Sequence, residues 1–284
     1  MRVTRLLCAA VLAAGTAVGV FAAVPTAQAS GGPDYYLALG DSLSVGVQVG
    51  FPDGTGVGYT DDLYTQLHAH DAALQLAKLG CPGETTATMI NGACPDTHFP
   101  YPAGHSQLAA AVAFLHAHAG HVKYLTIDIG ANDVDGCASG GSINAQCVAQ
   151  GAVSIAKNLD TILCALRAAD GGHPISAGMS YYDPFLAEWL TGTSGQAVAT
   201  ASVALLTTIN TAEATEFTLY GFRTADVFDH FQTANFLPLG TWNGKTVPVN
   251  VATLCKITWM CTNGNIHANA IGYGVIADAF ADVI

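Results

Sequence analysis

The sequence predicts an α/β protein with a mainly parallel sheet covered by helices on both faces. Short apolar runs, typical of strands buried on both sides, alternate along the chain with longer segments of helical periodicity. This alternating order is typical of parallel sheets whose strands are connected by helices. Residues 30–284, about 255 residues, suit a single domain with a sizeable core.

Five apolar runs are the predicted strands, and they cover residues 35–39, 74–79, 124–129, 175–179 and 224–228. Helical periodicity predicts helices over residues 61–70, 107–118, 145–169 and 196–219, and a final helix over 268–284. In such sheets, ligands bind beyond the carboxyl ends of the strands. We therefore expect the chemistry of the protein in the loops that follow the strands.

The N-terminus has the pattern of a secretory signal peptide. Arg2 and Arg5 precede an apolar stretch, and the small-residue tripeptide 27–29 (Ala-Gln-Ala) follows it. This order predicts cleavage after Ala29 and a secreted, extracellular protein. A membrane anchor is the alternative, but the apolar stretch ends at Pro25 beside the cleavage-type tripeptide, so no stable anchor is expected.

The charge balance argues against a nucleic-acid partner. The chain has 9 Lys and Arg against 21 Asp and Glu, a formal net charge of −12, and loss of residues 1–29 would make it more acidic. Phosphate binding requires clustered Lys and Arg, which this chain lacks. The sequence does not indicate an oligomeric state.

The cysteines are expected to pair, because export places them in an oxidising compartment. Three local pairs are predicted: Cys81 with Cys94, Cys137 with Cys147, and Cys255 with Cys261. Cys164 is left over in a helical segment and is interpreted as a small buried hydrophobe rather than a reactive thiol. A zinc site is the competing use of the cysteines, but the chain contains no Cys-x-x-Cys pair.

A serine follows the first predicted strand. Residues 40–44 read Gly-Asp-Ser-Leu-Ser, so Ser42 lies where the backbone must turn and can present a hydroxyl at the edge of the sheet. Asp41 and Ser42 are also ordinary turn residues. The segment is not the Gly-x-Ser-x-Gly elbow of α/β-hydrolases, because Leu43 and Ser44 follow the serine.

Two further loops follow strands and offer hydrogen-bond donors. Residues 130–133 read Gly-Ala-Asn-Asp, and the amide of Asn132 can donate to developing negative charge. Residues 80–86 contain Gly83, whose N–H can also point toward an oxyanion. Each segment alone is equally compatible with a simple turn.

Near the C-terminus, His267 precedes the final predicted helix, where its side chain can reach across the end of the sheet. The other histidines have simpler explanations. His116 and His118, for example, lie two positions apart on one helix and so face different directions, which indicates solvated surface rather than metal ligation.

Taken together and in order, these four segments resemble the SGNH/GDSL hydrolase family, over essentially the whole of residues 30–284. The resemblance places the functional Ser, Gly, Asn and His at Ser42, Gly83, Asn132 and His267. It implies a three-layer α/β/α flavodoxin-like fold, with Ser42 as nucleophile, His267 as base, and an oxyanion hole formed by Ser42, Gly83 and Asn132. The local disulfides also resemble those of secreted actinobacterial lipases and esterases of this family.

One position departs from the family pattern. The family usually has an Asp three residues before its His, and this chain has Gly264 there, followed by Asn265. A catalytic imidazole needs a partner that orients it, and a neutral group can serve with less charge stabilisation. We predict that the main-chain carbonyl of Gly264 orients His267, with the Asn265 side chain as the alternative.

The expected activity is hydrolysis of a carboxylic ester of a small molecule or lipid, through an acyl-enzyme on Ser42. No metal and no organic cofactor is implied, since protein groups supply nucleophile, base and donors. Apolar aromatic loops over residues 99–102 and 181–185 favour an acyl chain over a carbohydrate O-acetyl group. A catalytically silent secreted binding protein on the same scaffold is the alternative from a different class.

Overall fold

The computed structural model describes residues 32–52, 56–96, 101–102, 105–139 and 141–284. The predicted signal peptide lies outside the described residues, so it stays a prediction. In the described part of the chain, no helix is both long enough and apolar enough to span a membrane.

Nine strands and ten α-helices are described. The strands are β1 (Tyr35–Gly40), β2 (Gln75–Lys78), β3 (Val122–Asp128), β4 (Ala138–Ser139), β5 (Ser142–Ile143), β6 (Ile175–Met179), β7 (Arg223–Ala225), β8 (Leu239–Trp242) and β9 (Lys245–Pro248). The helices are α1 (Ser42–Val45), α2 (Tyr59–His68), α3 (Thr86–Asn91), α4 (Gln107–Ala117), α5 (Ala145–Ala169), α6 (Thr193–Leu219), α7 (Val227–His230), α8 (Val249–Ile257), α9 (Met260–Asn263) and α10 (Ala270–Ala281).

The central sheet has five parallel strands in the order β2-β1-β3-β6-β7. All five strands therefore direct their carboxyl ends to the same edge. The prediction of a parallel sheet of about five strands in an α/β/α fold is confirmed. Two antiparallel hairpins, β4-β5 and β8-β9, lie outside this sheet.

The alternation of side chains along the strands divides the core into two layers. In β1, Tyr36 and Ala38 pack into one buried cluster, with residues of α2, α8 and α10. Leu37 and Leu39 pack into the other, with residues of α4 and α5. Because both faces of the strand are buried, β1 has the continuous apolar sequence from which it was predicted.

The predicted strand over residues 224–228 is too long. Strand β7 ends at Ala225, because the Asp226 side chain accepts a hydrogen bond from the Asp229 backbone N–H and so begins helix α7. Val227 is buried in the core from that helix rather than from a strand. An apolar run this short does not distinguish the two structures.

Candidate active site

The chain turns sharply at Gly40, the last residue of β1. Its φ is +138°, a value that residues with a side chain rarely adopt. A Cβ atom there would lie 2.3 Å from the main-chain oxygen of Asp128, so only glycine fits against β3. The turn places Asp41 as the N-cap of α1 and Ser42 as its first residue.

Two buried carboxyl groups accept hydrogen bonds from the backbone N–H groups near Ser42. The N–H of Leu43 donates to Asp41 Oδ1 at 2.9 Å, and the N–H of Ser44 donates to Asp128 Oδ2 at 3.2 Å. The N–H of Asp41 donates to the main-chain oxygen of Asp128 at 3.0 Å. Among the described residues, the Ser42 N–H has no acceptor, so it is available to a ligand.

The buried carboxyl groups of Asp41 and Asp128 interact with each other at the turn that carries Ser42. Burial raises the pKa of Asp41 to about 6, and burial together with the charge of Asp41 raises the pKa of Asp128 well above its ordinary value. The hydroxyl of Tyr59 donates to Asp128, and that of Tyr181 donates to Asp41. Burial therefore favours the protonated form of these carboxyl groups, compared with carboxyl groups exposed to solvent.

His267 lies in the loop between α9 and α10, where an antiparallel bridge between Thr258 and Ala268 fixes the backbone. Its Nε2 lies 2.9 Å from Ser42 Oγ, and its Nδ1 lies 2.8 Å from Asn265 Oδ1. The amide oxygen of Asn265 can only accept, so Nδ1 carries the proton. Nε2 therefore presents its lone pair to the Ser42 hydroxyl.

The side chain that bonds to Nδ1 of His267 is that of Asn265. Its Oδ1 also accepts from the backbone N–H of His267 at 3.0 Å, so one oxygen holds both the ring and the main chain. Gly264 instead ends helix α9 in a left-handed conformation, with φ +61°. Among the described residues, the hydrogen bond of Nδ1 is to Asn265, the predicted alternative, and none is formed to the Gly264 carbonyl.

Burial lowers the pKa of His267 to about 4. Among the described residues, no carboxylate bonds to the imidazole, so the described contacts of the ring do not offset the cost of charging it while it is buried. The imidazole is therefore neutral at neutral pH, the state in which Nε2 can accept a proton.

The loops that follow β2 and β3 are tied together beside this pair. Asn132 Nδ2 donates to the main-chain oxygen of Glu84 at 2.9 Å, and Asp133 accepts from the N–H of Thr86 at 2.8 Å. Gly83, at φ +76°, directly precedes Glu84, and its N–H has no acceptor among the described residues. The structure thus brings Asn132 next to the Gly83 segment.

A pocket of about 870 Å³, a volume that includes the open solvent at its mouth, is lined in part by Ser42, Asn132 and His267. Gly83 is not part of that lining. Most of the remaining wall is apolar and comes from α5, α6 and the segment after β6; it includes Val134, Ile143, Val148, Tyr181, Tyr182, Pro184, Phe185, Leu205, Leu206, Ile209 and Ile266. The pocket can therefore hold an apolar group next to the Ser42 hydroxyl.

Comparison with known proteins identifies the family. The sequence model of the GDSL-like lipase/acylhydrolase family matches residues 38–275. The protein is a member of this family. No curated protein sequence matches the chain.

Solved structures with the same fold include other hydrolases. A phospholipase A1 from Streptomyces albidoflavus NA297 is 15% identical, with a TM-score of 0.55, and the match covers 89% of this chain and 100% of that one. An extracellular lipase from Streptomyces rimosus is 18% identical, with a TM-score of 0.57 and coverage of 88% and 100%. An acetyl xylan esterase is 14% identical, with a TM-score of 0.52 and coverage of 88% and 100%. At these identities the likeness establishes the fold.

In this GDSL-family chain, the three predicted disulfides are present: Cys81–Cys94, Cys137–Cys147 and Cys255–Cys261. The first disulfide fixes the loop that contains Gly83, and the third joins α8 to α9, just ahead of Asn265.

Cys164 is also disulfide-bonded, and none of the described cysteines is free. The prediction that Cys164 is left over as a buried hydrophobe is wrong.

One group of side chains in the described residues has the spacing of a metal site. The sulfurs of Cys81 and Cys94 and a carboxylate oxygen of Glu84 lie within 4.8 Å of one another. The two sulfurs are joined in a disulfide, however, and so supply no thiolate ligand. The remaining Glu84 carboxyl accepts from Tyr101 and Gln107 and serves the packing of this loop.

Sequence reasoning missed the polar groups that surround the predicted residues. Asp128 ends β3, and Tyr181 and Tyr182 follow β6, so all three lie at the same edge of the sheet as Ser42. The rule that located Asn132 after β3, applied to β6, would have selected the two tyrosines. The apolar sequence of residues 181–185 predicts only a wall for an acyl chain, and these residues do line the pocket.

Proposed function

We propose that the protein is a secreted serine esterase that hydrolyses carboxylic esters through an acyl-enzyme on Ser42, with His267 as general base. The observation that carries this proposal is the 2.9 Å contact between Ser42 Oγ and His267 Nε2 at the wall of an apolar pocket. Family membership supports ester hydrolysis as the reaction class.

In the first step, His267 Nε2 takes the hydroxyl proton of Ser42 while Oγ attacks the ester carbonyl carbon. The tetrahedral intermediate collapses, and the imidazolium returns that proton to the departing alcohol oxygen. Water then repeats the sequence on the acyl-enzyme and releases the acid. The free N–H of Ser42, the free N–H of Gly83 and the Asn132 amide are the proposed donors to the oxyanion.

The natural ester is proposed to contain an acyl chain rather than an acetyl group on a carbohydrate. The wall beside Ser42 is mostly apolar and continues from Ser42 to Leu205, Leu206 and Ile209 of α6, so it suits a hydrocarbon chain better than a polar sugar. Burying one additional methylene contributes about 0.8 kcal/mol, which corresponds to roughly a fourfold gain in kcat/KM. The gain ends when the chain fills the pocket.

A series of nitrophenyl esters from acetate to decanoate, run beside an acetylated xylan, tests this preference. We expect kcat/KM to rise from acetate through at least hexanoate, with little acetate released from the polymer. Leu206→Trp is the matched variant, because it reduces the pocket without touching Ser42 or His267, and it should lower only the long-chain rates. A rate that is highest for acetate would instead support a carbohydrate O-acetyl esterase.

A silent binding protein on the same scaffold remains the competing proposal, because the usual Asp before the histidine is absent. The low pKa of His267 and its contact with Ser42 favour an enzyme. Covalent labelling of the protein by a fluorophosphonate distinguishes the two, because it requires an activated serine. Failure to label would support the binding protein.

Secretion is proposed from the sequence of residues 1–29 and from the disulfides, which persist in oxidising compartments. Expression of the full chain in a bacterial host with an intact secretion system tests it. We expect the processed protein in the medium, with Ser30 as its first residue.

Asn132→Ala is expected to lower kcat about 100- to 1000-fold, because one donor to the oxyanion is lost. Steady-state kinetics on a short-chain nitrophenyl ester measure it, and the thermal unfolding midpoint shows whether the variant is folded. Asn158→Ala is the matched control: it removes an amide that donates to Thr86 in the same loop cluster but lies away from the pocket lining. Equal losses in both variants would mean that Asn132 serves only loop packing.

Asn265→Asp is expected to move the acidic limb of the kcat/KM profile to higher pH. The new carboxylate would accept from Nδ1 and stabilise the imidazolium, so the pKa of His267 would rise from about 4 by roughly one to three units. The imidazole must be neutral to act as a base. As the pH is lowered, the variant should therefore lose activity at a higher pH than the wild type does.

The pH dependence of kcat/KM between pH 3.5 and 8 measures this shift. Asn263→Asp is the matched control, since it adds the same charge at an exposed position nearby that does not contact the ring. An unshifted limb in Asn265→Asp, or an equal shift in both variants, would contradict the assignment of Asn265 as the partner of His267.

A further inference from the structure

Two consecutive tyrosines link the segment of Ser42 to the segment of His267. Tyr181 and Tyr182 lie just beyond β6 and are 4% and 5% exposed. The Tyr181 hydroxyl donates to Asp41 Oδ2 at 3.1 Å, and the Tyr182 hydroxyl donates to the main-chain oxygen of Ile266 at 2.7 Å. Asp41 directly precedes Ser42, and Ile266 directly precedes His267.

The backbone that carries these tyrosines is fixed to helix α6. The Asn210 side chain accepts from the N–H of Tyr181 and donates to its main-chain oxygen, both at 2.9 Å. Two residues further on, the Ser202 hydroxyl donates to Asp183 Oδ2 at 2.6 Å. The segment is thus held at both ends by buried side chains of one long helix.

The ring of Tyr182 is fixed as well. It stacks on Phe231 with the ring centroids 4.3 Å apart and the planes within 7° of parallel. Because the ring cannot swing freely, its hydroxyl keeps a set position relative to the sheet. The hydrogen bond from this hydroxyl therefore fixes the position of the Ile266 carbonyl as well.

The nucleophile and the base come from segments 225 residues apart, and the contact between their side chains is a single hydrogen bond. A Ser side chain and an imidazole each rotate about their own bonds. The distance between them therefore depends on how firmly the two backbones are placed relative to each other. A displacement of about 1 Å at reacting atoms can cost about 100-fold in rate.

We propose that Tyr181 and Tyr182 are positioning residues that together set the distance between Ser42 and His267. Tyr181 holds the nucleophile turn through Asp41, and Tyr182 holds the base loop through Ile266. Both tyrosines extend from one short segment anchored on α6. This inference rests on the proposed function, since it assigns the two residues to the same reaction.

Tyr181→Phe and Tyr182→Phe test the proposal, because each removes only a hydroxyl and leaves the apolar wall of the pocket in place. We expect kcat on a nitrophenyl ester to fall about 10- to 100-fold in each variant, with KM changed less than about twofold. Tyr64→Phe is the matched control: its hydroxyl donates to the Leu74 carbonyl, away from the site, so kcat should be unchanged. Thermal unfolding of all three variants shows whether they are folded.

A second measurement separates positioning from general stabilisation. In a His267→Ala background, Tyr182→Phe should cause no further loss in residual hydrolysis, because the group it positions is gone. A further loss of the same size in that background would overturn the proposal. So would a lowered unfolding midpoint with an unchanged kcat in either single variant.

Failure of this inference is distinct from failure of the proposed function. If Ser42→Ala and His267→Ala are inactive while both Phe variants have the wild-type kcat, only the positioning role is wrong. If Ser42→Ala retains full activity, the proposed function itself is wrong.

Discussion

Replacing Ser42 by alanine is expected to lower kcat for ester hydrolysis up to about a million-fold, the cost typical of removing the nucleophile from a serine–histidine unit. Without Oγ no acyl-enzyme forms, and His267 Nε2 loses the hydroxyl that it contacts at 2.9 Å. The N–H of residue 42 remains, so binding of the ester carbonyl should persist. We therefore expect the loss in kcat rather than in KM.

Steady-state hydrolysis of a nitrophenyl ester and labelling by a fluorophosphonate measure this loss independently. Ser44→Ala is the matched control, because Ser44 is buried, lies two positions away, and donates its hydroxyl to the main-chain oxygen of Asp41. It should stay active and stay labelled. Labelling of Ser42→Ala at the wild-type rate would show that another residue is the nucleophile.

The sequence predicts the sheet well because its strands are buried on both faces and therefore form continuous apolar runs. It predicts less where an element depends on one local contact. Helix α3 begins at a capping interaction of Thr85 with Thr88, inside a stretch that carries no apolar periodicity. The hairpin of β8 and β9 packs against α8, a tertiary contact that a local pattern does not contain.

One rule connects the sequence to the candidate site: the carboxyl ends of parallel strands converge at one edge of the sheet. Ser42 and Asn132 follow β1 and β3 and line one pocket, and His267 joins that lining from the loop between α9 and α10. The same rule does not predict which acceptor will bond to Nδ1 of His267. Gly264 and Asn265 are adjacent in the sequence, so both are candidate acceptors. Asn265 is the acceptor because of a turn in which its Oδ1 accepts from both the backbone N–H and the ring of His267.

The sequence also does not predict that the carboxyl groups of Asp41 and Asp128 are buried. Asp128 is an acidic residue at the end of an apolar strand, and only the structure shows that it is buried beside Asp41. In the part of the chain that the structure describes, no basic side chain bonds to it. Burial raises the pKa of both carboxyl groups, and the charge of Asp41 raises the pKa of Asp128 further. Three backbone N–H groups and two tyrosine hydroxyls donate to these carboxyl groups and hold the nucleophile turn in its shape.

His267→Ala is expected to lower kcat nearly as much as Ser42→Ala, and the double variant should be no worse than either single one, because the two residues act as a unit. Because Asn265, the partner of His267, is neutral, the imidazole stays uncharged and kcat should depend strongly on His267. With its pKa near 4, the imidazole is available as a base over the whole neutral range, and no other described side chain lies within hydrogen-bonding distance of Ser42 Oγ to replace it.

Hydrolysis rates of the two single variants and the double variant, measured on one nitrophenyl ester, test this non-additivity. His116→Ala is the matched control, since His116 is exposed on α4 and should be dispensable. The remaining activity of His267→Ala should increase with pH, because hydroxide then takes over removal of the Ser42 proton. Activity of His267→Ala within tenfold of the wild type would contradict its role as base and would leave the 2.9 Å contact as a structural hydrogen bond only.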